Sequence, residues 1–275
     1  MSGSPNGHVA GLFRHPVKGF TPEPLQAVAL APGQGFPFDR VWAVENGPSG
    51  FDPAQPAWIS KSKFAVLAQI PKVAAARTRL DEAAGVLHAA APGVREIAVR
   101  LGDPAGREAF AAWLTRLLGE DAAGPLKVVE APPEHRFTDH PHGQVSIINL
   151  ASVRDLSWRM GVELDPLRFR ANLYVEDWPA WAEHGWTGRA LMLGWARAEV
   201  LKPIVRCVAT HVNPATAERD QEVTKALYDN FGDMHCGVYV QVTSAGAVGL
   251  GDAVTTPERE PQAKPDPAKP DAEWA

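Results

Sequence analysis

The sequence predicts an α+β protein that is mainly β. Short apolar runs separated by turns rich in Gly and Pro recur along the chain, as is typical of strands. Residues 238–242 and 247–254 are typical of a hairpin that closes a barrel. Residues 103–119 carry the best helical pattern in the chain. Together these patterns favour β-sheet domains with a few packing helices.

The N-terminal half is predicted to hold short strands followed by one helix. The strands are residues 8–14, 25–31 and 39–44, with several more between residues 65 and 101. In the helix, Asp103 is a natural N-cap, Pro104 suits the first helical position and Gly119 ends the helix. One apolar stripe runs along it, formed by Phe110, Trp113, Leu114, Leu117 and Leu118. We therefore expect a packing helix without a ligand contact.

The C-terminal half begins, on this reading, after a strand at residues 126–129 and a polar, Pro-rich connection that starts at Glu130. A second strand, residues 145–149, leads into a helix that Asn149 caps and Gly161 ends. The later elements are a strand with Arg168, Arg170 and Asn172, an apolar strand run from 191 to 205 broken near Gly194, and a helix at 220–231.

Composition excludes several classes of protein. The net charge of −5 argues against nucleic-acid binding. Neither a signal peptide nor a run long enough to span a membrane is evident, so we expect a cytoplasmic protein without a membrane contact. Two cysteines are too few for a cluster held by about four thiolates, so any electrons would come from a separate protein. The Pro-rich tail, residues 257–275, is predicted to be disordered.

Cys207 is the candidate for chemistry. It follows Arg206 at the end of an apolar run, and a neighbouring cation stabilises a thiolate, which is a nucleophile and a soft metal ligand. Most free cysteines are nevertheless small core residues, as we expect for Cys236. A metal-free enzyme with His211 or His235 as the base stays open. Three further histidines lack zinc-site spacing and are expected to be structural: His135, His140 and His142.

A second group of residues is suited to an anion. Arg168, Arg170 and Asn172 would share one face of a strand because side chains alternate there. Two cations on an apolar strand are costly when buried alone but suit a phosphate or a polar ring. An exposed strand face is the alternative. Lys18 lies in a turn punctuated by Pro and Gly, where a lone lysine is by itself expected to be a solvated surface charge.

Several motifs in order resemble one known family. Arg206-Cys207, Thr210, Asn213-Pro214, Gly237-Val-Tyr and Gly249-Leu-Gly-Asp resemble the molybdenum-cofactor sulfurase C-terminal (MOSC) domain. His15-Pro-Val-Lys-Gly and Asp39-Arg-Val-Trp resemble the β-barrel domain that precedes MOSC in amidoxime-reducing proteins. The resemblance implies an N-terminal β-barrel domain at residues 8–130 and a MOSC β-barrel at 131–256, without the ferredoxin-like domain of some relatives.

This resemblance also implies a cofactor and a reaction. The cofactor is Mo-molybdopterin, with Cys207 as the molybdenum ligand; a pyridoxal phosphate association belongs to the domain more broadly. The residues matching cofactor contacts are Lys18, Gly19 (where the family often has Ser), Arg40, Asn149, Ser152, Arg168, Arg170, Asn172, Arg206 and Thr210. The implied reaction is reduction of small N-hydroxylated or N-oxygenated compounds. Electrons would come from a ferredoxin or cytochrome b5 type protein with its reductase. A sulfur or cofactor carrier is the alternative, as is a non-catalytic interaction module.

Overall fold

The computed structural model describes residues 6–141 and 145–255; the predicted disordered tail and His142 lie outside this part of the chain. Three α-helices are present in the described ranges: α1 Pro104–Leu118, α2 Leu150–Met160 and α3 Val223–Phe231. The strands are β1 Gly7–Arg14, β2 Glu23–Pro24, β3 Ala27–Leu30, β4 Trp42–Asn46, β5 Arg77–Asp81, β6 Val86–Ala91, β7 Val94–Val99, β8 Leu126–Glu130, β9 Val145–Asn149, β10 Leu173–Glu176, β11 Ala190–Leu193, β12 Ala196–Val205, β13 His235–Ser244, β14 Gly246–Gly249 and β15 Ala253–Thr255.

Seven strands close into a barrel in the order β1-β10-β9-β13-β12-β11-β15, and β15 returns to β1. β9 and β10 are parallel, because helix α2 carries the chain back between them, and the other pairs are antiparallel. Alternate residues of β12 are buried, as its apolar and polar residues alternate. The barrel interior is filled by Val, Leu, Ile and Ala side chains from all seven strands. The mainly β, α+β fold class is confirmed.

Strands from the two ends of the sequence pair with each other. β1 lies between β10 and β15, with Gly7 opposite Val254, and β3 pairs with β14. A second core is formed by the N-terminal segments. There, helix α1 packs on the β4–β8 pair and the β5-β6-β7 meander. Because β1 is a barrel strand and also leads into the N-terminal segments, the turn that follows it is held against the mouth of the barrel.

Helix α1 confirms the predicted packing helix. The whole apolar stripe is buried, and Trp113 donates its indole N–H to the carbonyl of Arg95 at 2.7 Å. Asp103 occupies the N-cap position as predicted, although its side chain makes no capping hydrogen bond. Helix α2 begins as predicted, because the Asn149 side chain accepts from the backbone N–H of Ala151 and Gly161 ends the helix in the left-handed region.

Three predicted elements differ in the structure. Residues 166–169 form a 3₁₀ turn, capped by the Asp165 side chain, and the strand begins only at Leu173. Residues 71–75 are also a 3₁₀ turn, which begins at a proline. The expected C-terminal hairpin is absent from the described strands, because β14 pairs with β3 and β15 with β11 and β1. Local patterns identified these strands but could not identify partners far away in the sequence.

Candidate functional site

The candidate site is a cavity of about 350 Å³ between the barrel mouth and the N-terminal segments. Its wall contains the turn after β1, the loop after β8, the 3₁₀ turn before β10 and the end of β12. Eight of the predicted site residues line it: Lys18, Gly19, Arg40, Arg168, Arg170, Arg206, Cys207 and Thr210. The fold therefore brings residues from widely separated parts of the sequence to one place.

Cys207 lies two residues beyond the end of β12 and is partly exposed. The 3₁₀ turn Val208–His211 starts directly after it, and Thr210 donates its hydroxyl to the Cys207 carbonyl at 2.9 Å. This turn fixes the thiol at the cavity wall. Cys236, by contrast, is fully buried outside the cavity, and burial raises the pKa of its thiol to about 12. The two cysteines therefore have different environments, as predicted.

Lys61 and Arg206 are two cations near Cys207, and they have different partners. Arg206 donates its guanidinium hydrogen bonds to the backbone carbonyls of Cys236 and Phe169, at 2.6 to 2.8 Å. Lys61 lies close to the thiol. Burial lowers the pKa of Lys61, but the Asp139 carboxylate and the Cys207 sulfur raise it further, so the net shift is upward. The N–H groups of Arg206 are thus engaged by carbonyls, and its expected effect on the thiol stays a prediction.

Lys18 is almost completely buried, with 4% of its side chain exposed. Its ammonium group donates to the carbonyl of Phe137 at 2.9 Å and to the Asp139 carboxylate. Gly19 follows with φ +91°, a left-handed conformation in which a Cβ would lie 3.1 Å from the Cα of Val66. A serine would be strained here, so glycine is a structural requirement of this turn.

Arg40 is held by a buried carboxylate. Asp39 pairs with the Arg40 guanidinium and accepts from the His15 backbone N–H at 2.6 Å. Burial raises the pKa of Asp39, but Arg40 and the hydrogen bond from His15 lower it further, so the carboxylate stays charged. Burial, with Arg170 and Arg40 nearby, lowers the pKa of His15 to about 3. His15 is therefore neutral at pH 7, and Asp39 directs Arg40 towards the cavity.

Arg168 and Arg170 reach the cavity from the 3₁₀ turn and not from a strand face. Arg168 pairs with Asp220 at 2.7 Å, whereas the Nη2 atom of Arg170 is buried without a hydrogen-bond partner among the described residues. Burial, followed by the like charge of Arg40, lowers the pKa of Arg170 to about 10. Both Arg40 and Arg170 have a φ of +52°, which is unfavourable for a side chain with a Cβ. Arg170, which is both strained and incompletely paired, suits an anion that would complete its hydrogen bonds.

The cavity is strongly cationic although the chain has a net charge of −5. Seven of the described lining residues are Lys or Arg, and Asp139 is the single carboxylate among them. The cations are Lys18, Arg40, Lys61, Arg168, Arg170, Lys202 and Arg206. A phosphate or another anionic group therefore fits this wall better than a cation.

Asn149, Ser152 and Asn172 are fully or almost fully buried and do not line the cavity. The Asn149 amide donates to the Glu183 carboxylate at 2.8 Å, and the Ser152 hydroxyl donates to the same group at 3.1 Å. Asn172 accepts from the backbone N–H and the hydroxyl of Ser146, at 3.1 and 2.9 Å. Each of these polar groups is therefore satisfied by other protein groups and is not directed into the cavity.

Sequence reasoning missed several lining residues. Lys61 and Asp139 meet at 3.2 Å, and the rings of His140 and Tyr239 stack with their centroids 5.7 Å apart. Lys61 ends the stretch Trp58-Ile-Ser-Lys, to which sequence reasoning assigned no role, and nothing local marked Asp139. Tyr239 belonged to the recognised Gly-Val-Tyr motif, so a signal for it was present.

The histidine bases of the alternative mechanism do not line the cavity. His211 shares a hydrogen bond of 2.8 Å with Thr224, and His235 pairs with Asp233 at 3.1 Å. Within residues 6–141 and 145–255, no group of three or more His, Cys, Asp or Glu side chains is placed to hold a metal ion. In the same ranges, no helix has the length and apolar character needed to cross a membrane.

Comparison with family models decides the family. The model of the MOSC N-terminal beta barrel domain matches residues 6–123, and the model of the MOSC domain matches residues 134–255. The chain is a MOSC domain protein. Cys207 and the arginines before β10 belong to the MOSC part, whereas Lys18 and Arg40 belong to the N-terminal part. The cavity of this MOSC protein therefore needs both matched regions.

Curated relatives share the MOSC part. The molybdenum cofactor sulfurase of Caenorhabditis elegans is 31% identical over 147 residues, which is 52% of this chain and 19% of that protein. The molybdenum cofactor sulfurase of Anopheles gambiae is 31% identical over 153 residues, 49% of this chain and 20% of that protein. The MOSC protein thus spans about a fifth of the length of these relatives. The relationship associates it with molybdenum-cofactor proteins.

Two solved structures are similar to this chain. The YUAD protein from Bacillus subtilis has a TM-score of 0.47 at 13% identity, covering 91% of this chain and 95% of the other. YiiM from Geobacillus stearothermophilus has a TM-score of 0.33 at 18% identity, covering 43% of this chain and 56% of the other.

Proposed function

We propose that this MOSC protein binds a molybdenum cofactor and reduces N-hydroxylated or N-oxygenated compounds with electrons from a separate donor protein. The observation that carries the proposal is the cavity itself, in which a partly exposed thiol shares one wall with seven cationic side chains. A thiolate is a soft ligand suited to a heavy metal, and cations suit the phosphate of a pterin cofactor.

The cavity residues fit such a group. The unpaired Nη2 atom of Arg170 provides a donor, and Lys18 and Arg40 provide positive charge at the same end. Arg168 extends this wall, and Cys207 would hold the metal. Residues from both matched regions would therefore hold one molecule of cofactor, which supplies the two-electron redox chemistry when bound.

The chain's own residues would position this chemistry. Lys61 keeps a positive charge beside the Cys207 sulfur, at the place where the metal would be held. Thr210 and the 3₁₀ turn fix the thiol, and Asp39 fixes Arg40. For a hydroxylamine, the overall reaction is R–NHOH + 2e⁻ + 2H⁺ → R–NH₂ + H₂O, so the donor protein must supply both electrons and the solvent the protons.

The test is cofactor content in protein made in a host that synthesises the molybdenum cofactor. Because the site offers one thiolate for one metal, we expect about one molybdenum and one pterin per chain. Elemental analysis measures the molybdenum, and fluorescence after oxidation measures the pterin. Cys207→Ala should lose the metal, and Cys236→Ala is the matched control because that thiol is buried outside the cavity. Full metal content in Cys207→Ala would refute the ligand assignment. Activity with an amidoxime and reduced viologen as an artificial donor then tests the reaction.

A sulfur-carrier role is the second candidate, and the relationship to molybdenum cofactor sulfurases favours it. Cys207 would then carry a persulfide, which mass spectrometry of the intact protein detects as one added sulfur atom. A persulfide on Cys207 in protein that lacks molybdenum would support the carrier over the reductase.

A further inference from the structure

Asp139 has an unusual position in the cationic cavity. It is the single carboxylate among the described lining residues, and it contacts two ammonium groups at once. One oxygen pairs with Lys18 and the other lies 3.2 Å from Lys61. Asp139 thus lies between Lys18, at one end of the cavity, and Lys61, which is next to the thiol at the other end.

The contact with Lys18 has a clear electrostatic reason. The Lys18 side chain is 4% exposed, and an ammonium group buried without a counter-charge is costly. Burial lowers the pKa of Lys18, and Arg40 acts in the same direction, whereas Asp139 opposes both. In the cofactor-free protein, therefore, Asp139 supplies the negative charge that the Lys18 end of the cavity requires.

An incoming phosphate would need the same ammonium group. Lys18 already donates one hydrogen bond to the carbonyl of Phe137, so Asp139 takes up one of its two remaining N–H donors. A phosphate beside Lys18 would also lie close to the carboxylate, and two anions at one site repel each other. The Asp139 side chain is 44% exposed, so it has room to turn away from Lys18.

We propose that Asp139 is an internal competitor for the phosphate subsite: it occupies Lys18 in the cofactor-free protein and is displaced when a phosphate group binds. The proposal rests on the proposed function only for the identity of the natural ligand. After displacement, Asp139 keeps its second contact, with Lys61, and so remains next to the thiol end of the cavity.

The experiment is a titration of the cofactor-free protein with inorganic phosphate, by calorimetry at fixed pH and ionic strength. Asp139→Asn should bind phosphate roughly ten- to a hundredfold more tightly than the wild type, because a charge-assisted contact no longer competes. Asp121→Asn is the matched control, since Asp121 pairs with Lys72 at the surface at 3.6 Å and should leave the affinity unchanged. Asp139→Glu keeps the charge and should stay close to the wild type.

Two results would overturn the proposal. The first is phosphate binding by folded Asp139→Asn that is no tighter than that of the wild type. The second is a double variant, Asp139→Asn with Lys18→Met, that still binds phosphate more tightly than the wild type. The gain in affinity would then arise at a place other than Lys18. Circular dichroism and thermal unfolding establish that each variant is folded. This outcome is independent of the reductase proposal. If the protein holds no molybdenum, Asp139→Asn can still bind phosphate more tightly, and if it holds molybdenum, that increase in affinity can be missing.

Discussion

Replacing Arg170 with Met should make the ligand-free protein more stable. Burial and the like charge of Arg40 lower the pKa of Arg170 from 12.5 to about 10. At about 1.4 kcal/mol for each pKa unit, the charged form is disfavoured by about 3.5 kcal/mol as an upper limit. Met has a similar length and would have the same left-handed backbone, so the backbone cost cancels. We therefore expect a free energy of unfolding that is about 1–3 kcal/mol higher, since solvent screens part of the effect.

Urea unfolding at pH 7 measures this change in stability, and phosphate titration measures the accompanying change in phosphate affinity. The same variant should bind phosphate roughly tenfold more weakly or worse, because charge-assisted hydrogen bonds are lost. Arg154→Met is the control: Arg154 pairs with Glu176 at the surface, and its loss should change stability by less than about 1 kcal/mol. A folded Arg170→Met variant that is less stable than the wild type, or that binds phosphate equally well, would refute the reasoning.

Two further predictions concern buried groups outside the cavity. The pKa of His15 is about 3 when folded and about 6.5 when unfolded, so stability is lost as pH falls below 6.5, by about 2 kcal/mol between pH 7 and 5. His15→Asn keeps a donor for Asp39 and should remove this loss in urea titrations; an unchanged pH slope would contradict it. Glu183→Leu should cost about 2–4 kcal/mol, because Asn149 and Ser152 lose their acceptor. Its phosphate affinity should be unchanged; a folded variant with weakened binding would show that this cluster reaches the ligand.

The sequence predicted best the features that depend on neighbouring residues. The ends of helix α1 and the capping of helix α2 by Asn149 follow from local hydrogen bonding and backbone preference. The thiol, the two arginines before β10 and Lys18 were identified through motifs, and all of them line one cavity.

The features that sequence reasoning missed depend on distant contacts. Arg206 is adjacent to Cys207 in the sequence, yet it turns to carbonyls, and Lys61 comes to the thiol from another part of the chain. The 3₁₀ turn at Arg168 could not be distinguished from a strand by alternation alone, although Pro166 was a signal for it. Asp139 had no local signature, because its importance arises from ammonium groups more than 70 residues away.

The pairing of β1 with β10 and β15 determines when the barrel can close during synthesis of the chain. Gly7 and Val254 are neighbours in the sheet, so the barrel cannot close until nearly all of the described chain has left the ribosome. Such distant pairings fold slowly. The turn that bears Lys18 reaches its place only with that closure, so the cavity is incomplete on a partly synthesised chain. A ligand that contacts the whole cavity must therefore bind late, to an already folded protein.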